Sequence, residues 1–317
     1  MNTFFSILQA LLGLIVSLPL SPLQAEELAD PPDVTILHDL PYREGASKAW
    51  RLDLAMKKEA GTKPRPAIVI IHGGGWVEGD KSGFASKKHG VPGNIVEFAQ
   101  LGFVAVTINY RMSKEATFPA AIEDCKAAVR WLRAHAKEFN VDKEHIGAYG
   151  NSAGGHLALL LGMTDKSAGL EGDGPHQEES SLVQAAASDS GPLDMPAQYE
   201  QGTLRVVVSM FLGGPPEGDR LKLYRQASPS EYISKNTPPL LLIYGGADDQ
   251  VPIETADAFV AALGKAKLDD VTYHRLAYVY HCPHSLVRVP AMKTAVDEFF
   301  LTTLMHPETA KKVRRRE

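Results

Sequence analysis

The 317-residue chain has only two cysteines, Cys125 and Cys282. So few exclude a disulfide framework and leave at most one bridge. Cys125 falls in a helical pattern and Cys282 in an expected loop, so two free thiols are expected. Neither stands between a strand and a helix, which sets a cysteine nucleophile aside. An excess of basic charge is also missing: 33 Lys and Arg stand against 38 Asp and Glu, for a formal charge of −5. No basic face is implied, and nucleic acid is not expected as a partner. There is no internal repeat. His72 has no second His, Asp or Glu at ligand spacing, so no metal is expected.

Charged side chains are absent before Glu26, and positions 4–20 are almost wholly apolar. Leu23-Gln24-Ala25 ends on a small residue suited to cleavage. Residues 1–25 therefore read as a secretory signal peptide, too short for a comfortable membrane span. The protein is expected to be exported, periplasmic or extracellular, with no stable span after cleavage. The leader lacks Lys and Arg, which leaves an uncleaved anchor open. Residues 26–317 are expected to form a single domain, ending in a solvated basic tail at 305–317.

Beyond the leader, apolar segments alternate with helical patterns. Strands are expected at 34–39, 50–56, 67–72, 103–110, 146–150, 183–188, 239–245 and 271–278, and helices at 93–101, 120–139, 153–163, 253–267 and 290–304. The first two strands suit an antiparallel edge. From Ala67 onward the alternation predicts a mainly parallel eight-stranded α/β sheet with helices on both faces. Ala67-Ile68-Val69-Ile70-Ile71 has no polar residue, as a central strand buried on both sides requires. Residues 164–225 are richer in Gly, Pro and acidic residues, and are expected to form loops or a small cap over the site.

The expected strand at 146–150 runs into Gly150-Asn151-Ser152-Ala153-Gly154, and a helical pattern follows at once. Strand, tight turn and helix in that order are what an exposed serine nucleophile requires. The two backbones nearly touch at so sharp a turn, so the neighbours of Ser152 must lack bulk. The helix behind it aims free N–H groups and its positive end at the place where an oxyanion forms. Upstream, His72-Gly73-Gly74-Gly75-Trp76 closes the central strand. Its glycines leave N–H groups open to a substrate oxygen, so Gly74, Gly75 and Ala153 are the expected oxyanion donors. His72 reads as a brace for this loop.

Taken together, His72–Trp76, Ile108-Asn109-Tyr110-Arg111, Phe118-Pro119-Ala120-Ala121, Ala127–Leu132, Gly150–Gly155 and Gly245–Pro252 resemble the α/β-hydrolases of the esterase/lipase type. The likeness is to the hormone-sensitive-lipase-like branch and to bacterial acetyl-xylan and feruloyl esterase-like proteins, and spans roughly residues 67–304. It implies an acid in the loop behind the seventh strand, four residues before Pro252, which selects Asp248 over Asp249. Asp249 is left as a cap for the helix from Ile253. It also implies a base after the eighth strand, where His281 and His284 both stand. Spacing from Asp248 favours His281, whereas the His284-Ser285-Leu286 wording is similar to formamidase-like relatives. The usual Gly-His-Gly is missing there.

The resemblance implies a serine ester hydrolase with a Ser-His-Asp triad and an acyl-enzyme, needing no cofactor. Acetyl or feruloyl esters of carbohydrates, or other small esters, are the expected substrates, with Trp76 and Tyr110 bordering their site. An arylformamidase-, amidase- or peptidase-like hydrolase is the alternative enzyme. A binding protein that kept the fold and lost catalysis is the alternative of another class.

Overall fold

The computed structural model describes residues 30–59, 61–86 and 91–307. The expected signal peptide and the Lys311–Arg316 run lie outside them. Eight strands form one sheet: β1 (Val34–Pro41), β2 (Arg51–Lys57), β3 (Arg65–Ile71), β4 (Val104–Ile108), β5 (Val141–Asn151), β6 (Ala185–Asp189), β7 (Leu240–Gly245) and β8 (Val271–Leu276). Their order is β1-β2-β4-β3-β5-β6-β7-β8. The β1–β2 and β2–β4 pairs are antiparallel, and every later pair is parallel. The expected antiparallel edge and mainly parallel body are both present.

Nine α-helices cover the sheet among the described residues: α1 (Ile95–Leu101), α2 (Ala120–Ala134), α3 (Ala136–Phe139), α4 (Ala153–Met163), α5 (Met195–Gln201), α6 (Arg205–Leu212), α7 (Arg220–Gln226), α8 (Ile253–Lys265) and α9 (Pro290–Phe300). Strand alternation divides β3 between two cores. Ala67, Val69 and Ile71 pack with Ile122 and Val129 of α2 and with Leu157 and Leu161 of α4. Ile68 and Ile70 pack with Phe98 of α1 and Phe300 of α9 on the other face. All five residues are fully buried, as the uninterrupted apolar run requires.

Several boundaries differ from expectation for local reasons. The helix expected at 120–139 breaks at His135, whose backbone leaves the helical region (φ −95°, ψ 15°). Its Nδ1 and its backbone N both engage the Trp131 carbonyl. β5 starts at Val141, five residues before 146, because Asn140 ends α3 in the left-handed region (φ 53°) and turns the chain directly into the strand. β8 stops at Leu276, where the chain turns and Gly246 N takes the Leu276 carbonyl. The stretch expected as loops or cap contains the three short helices α5 to α7.

Residues 165–182 are fastened by buried ions that composition could not reveal. Lys126 Nζ, fully buried in α2, donates to Thr164 O (2.7 Å), Glu171 Oε1 (2.9 Å) and Ser181 Oγ (3.1 Å). Arg130, also fully buried, meets Glu171 Oε2 at 2.6 Å. Burial pushes the Glu171 carboxyl up, but Lys126, Ser181 and Arg130 outweigh it and hold it below its ordinary value. A depressed carboxylate stabilises the fold above its unfolded value of 4.5 and loses that contribution as pH falls through the folded value. Glu171→Gln strands two buried cations and is expected to cost about 3 kcal/mol in urea unfolding at pH 7. The difference from the parent protein should shrink as pH falls below 4.5.

Candidate active site

β5 delivers Ser152 to the apex of a turn at φ 50°, ψ −123°. A non-glycine residue held there costs about 1–3 kcal/mol, so the surroundings must impose it. They do so by close approach. A Cβ at Gly154 would stand 2.0 Å from Ile71 O, and one at Gly150 would stand 2.3 Å from Gly154 O. Ser152 N donates to Asp189 O at the end of β6 (2.8 Å), and Ser152 O accepts from His156 N as α4 begins.

The triple-glycine loop lies beside this turn. Gly73 N donates to Asn151 Oδ1 (2.9 Å), which ties the loop to the residue before Ser152. Gly74 O accepts from Val77 N and Glu78 N, both at 3.1 Å, which folds the loop back on itself. Gly74 adopts φ 105°, and a Cβ there would meet Glu78 O at 2.1 Å. Gly74, Gly75 and Ser152 share the lining of one cleft of about 520 Å³.

Asp248 sits in the loop after β7 with its side chain fully buried. Its Oδ1 accepts from Gln250 N (2.9 Å) and Val251 N (3.0 Å), which fixes the carboxylate plane. Its Oδ2 accepts from His281 Nδ1 at 2.7 Å. His281 is 7% exposed and lines the same cleft as Ser152, and its Nε2 has no partner among the described residues. Asp249 is exposed, and Pro252 precedes α8 with no side-chain cap, so the capping role expected of Asp249 is not filled.

The two candidate imidazoles separate cleanly. His284 is 1% exposed, hydrogen-bonds the Tyr149 hydroxyl at 2.7 Å, and is absent from the cleft lining. Burial pushes its pKa down to about 3, so it stays neutral.

Trp76 and Tyr110, expected to border the substrate site, are 3% and 1% exposed and do not line the cleft. Trp76 stacks on Phe211 (4.3 Å between centroids) and meets His156 edge-on. Tyr110 stacks on His72 (4.6 Å) and donates its hydroxyl to His72 O (3.0 Å). Large rings directly behind a glycine loop fill the volume the glycines leave, so they brace the loop from the interior. His72 itself donates to Gly73 O (2.7 Å) and belongs to that brace. Cys125 and Cys282 are buried free thiols whose pKa burial pushes up, which keeps them inert.

Sequence reasoning passed over Asn151, Asp189 and Val207. Asn151 lies inside the serine motif, where its side chain is a free variable of the pattern. The polar run Ser188-Asp189-Ser190 closing an apolar strand was the available signal for Asp189. Val207, in α6, packs its Cγ1 against Gly75, 2.7 Å from where a Cβ would stand. It carried no signal, because residues 164–225 have little periodic pattern.

The family model described as BD-FAE matches residues 52–263, well over half of the chain. The chain belongs to the BD-FAE family. It is 31% identical over 246 residues to Esterase LipC of Mycobacterium tuberculosis, covering 75% of this chain and 58% of LipC. The chain thus spans about 58% of the length of the curated relatives it matches. Among solved structures it is similar to a truncated carbohydrate esterase from gut microbiota (TM-score 0.74, 26% identity, 86% of this chain and 96% of that one). It is also similar to the bifunctional GH43-CE protein of Bacteroides eggerthii (TM-score 0.74, 29% identity, 84% of this chain and 38% of that one). The fold is that of the α/β-hydrolases, as the sheet order and these neighbours agree.

His284→Gln leaves the Tyr149 hydroxyl badly paired in the interior and should lower stability by about 1–3 kcal/mol. His281→Gln keeps an amide donor for the Asp248 carboxylate and should cost less. Parallel thermal melts of the two variants check this.

Proposed function

We propose that this BD-FAE protein is a serine carboxylic-ester hydrolase in which Ser152 is the nucleophile, His281 the base and Asp248 the acid. The observation that carries the reading is the His281 ring. One nitrogen is held by a fixed carboxylate, and the other has no partner among the described residues, on a ring that lines the same cleft as Ser152. Asp248 then keeps the proton on Nδ1 and stabilises the imidazolium that forms.

In the first step Nε2 takes the Ser152 proton as Oγ attacks the ester carbonyl. The oxyanion is received by the N–H groups of Gly74, Gly75 and Ala153, each worth about 3 kcal/mol in the transition state. The imidazolium gives its proton to the departing alcohol and leaves an acyl-serine. Water, deprotonated by the same nitrogen, then releases the acid and restores the hydroxyl.

Acetyl or feruloyl esters of carbohydrate are the proposed substrates. Support comes from neighbours named as carbohydrate esterases and from the size of the cleft. Val207 on α6 closes over Gly75 and narrows the space beside the oxyanion loop, which favours the smaller acyl group. The formamidase-like reading loses its support with His284, which is turned inward. Export is part of the proposal and rests on the apolar leader at 4–20.

Ser152→Ala should lower kcat on p-nitrophenyl acetate at least ~1000-fold with the melting temperature retained. Full turnover by that variant would end the reading. Val207→Ala should raise kcat/KM for p-nitrophenyl hexanoate relative to the acetate by roughly 10-fold. An unchanged chain-length profile would remove α6 from the acyl site.

A further inference from the structure

Asp189 closes β6 and is fully buried. Its carboxylate accepts three hydrogen bonds from the turn that follows His281. His284 N reaches Oδ1 at 3.2 Å, while Ser285 N and Ser285 Oγ reach Oδ2 at 2.8 and 2.7 Å. Its carbonyl accepts from Ser152 N (2.8 Å) and from Cys282 Sγ (3.4 Å). The next side chain, Ser190, accepts from Cys282 N (3.1 Å). One residue therefore joins the serine turn to the segment that carries the imidazole.

No lysine or arginine is paired with Asp189 among the described residues. The groups that face it are Tyr149 of β5, Tyr244 of β7, and His281, Cys282 and His284 of the base loop. The two phenols and the thiol are pushed up by burial and His284 is pushed down, so these four stay neutral. His281, hydrogen-bonded to Asp248, is the remaining group that can carry charge. Burial pushes Asp189 itself up to about 6, against the hydrogen bonds from Ser285 and His284. An uncompensated buried carboxylate is a costly way to fill space. It is, however, the side chain of this size that accepts from three donors without presenting a donor of its own.

We propose that Asp189 is a positioning residue for the reaction, a clamp that holds His281 in register with Ser152 by gripping the backbone just beyond the imidazole. This rests on the Ser152-His281-Asp248 reading. Asp248 orients the ring, and Asp189 sets where the loop bearing the ring begins its return. Small displacements of a base from its nucleophile cost large factors in rate. Protonation of Asp189 places an O–H among three donors, so the grip loosens as pH falls through about 6.

The test is Asp189→Asn in the full chain. The amide replaces an accepting oxygen with a donor but removes the buried charge. A raised carboxyl pKa destabilises the ionised folded state above that pKa, so the variant should melt no lower than the parent at pH 8. Its kcat on p-nitrophenyl acetate should nevertheless fall about 10-fold or more with KM within about twofold, and its phosphonylation by a fluorophosphonate should slow equally. Below about pH 6 the parent's log kcat should fall with a slope steeper than that of the variant. Ser285→Ala, which deletes one of the three bonds, should lose about threefold in kcat and covers the case in which the amide fails to fold. Parent-like kcat and phosphonylation in Asp189→Asn, or in Ser285→Ala if the first variant does not fold, would overturn the clamp and leave the triad standing. A loss of activity that merely tracks a lowered melting temperature would overturn it as well. A parent protein that is not phosphonylated at all would overturn the triad reading, and the clamp with it.

Discussion

The close passage of α4 beneath the end of β3 is the constraint on which the rest of the site depends. Gly154 lies so near the Ile71 and His72 carbonyls that no side chain fits between them. This contact forces the chain to reverse within one residue, and Ser152 occupies the strained position that results. The same contact brings the triple-glycine loop, which leaves β3 just beyond Ile71, beside that serine. A single backbone approach thus places the hydroxyl, the start of a helix and the open N–H groups of a loop around one point. Asn151 and the interior rings of Trp76, Tyr110 and His72 hold the loop at that distance.

Two carboxylates address the segment from Tyr280 to Ser285, and their environments differ in kind. Asp248 meets two backbone N–H groups and an imidazole that can become a cation. Asp189 accepts from His284 N, Ser285 N and Ser285 Oγ, which are neutral donors, so burial disfavours its ionised form and these hydrogen bonds only partly offset that cost. The first arrangement suits a group that must remain charged through a proton transfer. The second suits a support whose charge state responds to mild acid. The segment they hold has no glycine, and Cys282 itself takes a positive φ (55°). Cys282 N donates to Ser190 Oγ and Ser285 N to Asp189 on either side of that turn.

The middle of the chain shows a different balance. Residues 165–182 have little apolar content, yet they cross α2 in a defined path because Lys126 and Arg130 are buried there with Glu171 between them. Beyond β6, α6 uses Val208, Phe211 and Leu212 to dock on the core and leaves Val206 and Met210 exposed. Its Val207 turns toward Gly75, so the helix that covers the site is also the helix that shapes it.

Local pattern alone was enough for the sheet, its central strand, the serine turn and the glycine loop. Each depends on short-range rules: alternation, the absence of polar residues across 67–71, and the need for glycine at a close approach. The resemblance singled out Asp248 over Asp249, and it is Asp248 whose carboxylate meets an imidazole. Tertiary structure alone separated His281 from His284, because three residues of loop carry no periodicity, and only the path of the turn decides which ring meets a carboxylate. It also withdrew Trp76 and Tyr110 into the interior, built three short helices within the expected loops or cap, and joined Asp189 to both the serine turn and the segment after His281. Those outcomes hang on partners scores of residues away in the chain, and a hydrogen bond formed at such a separation leaves no periodic trace in the sequence.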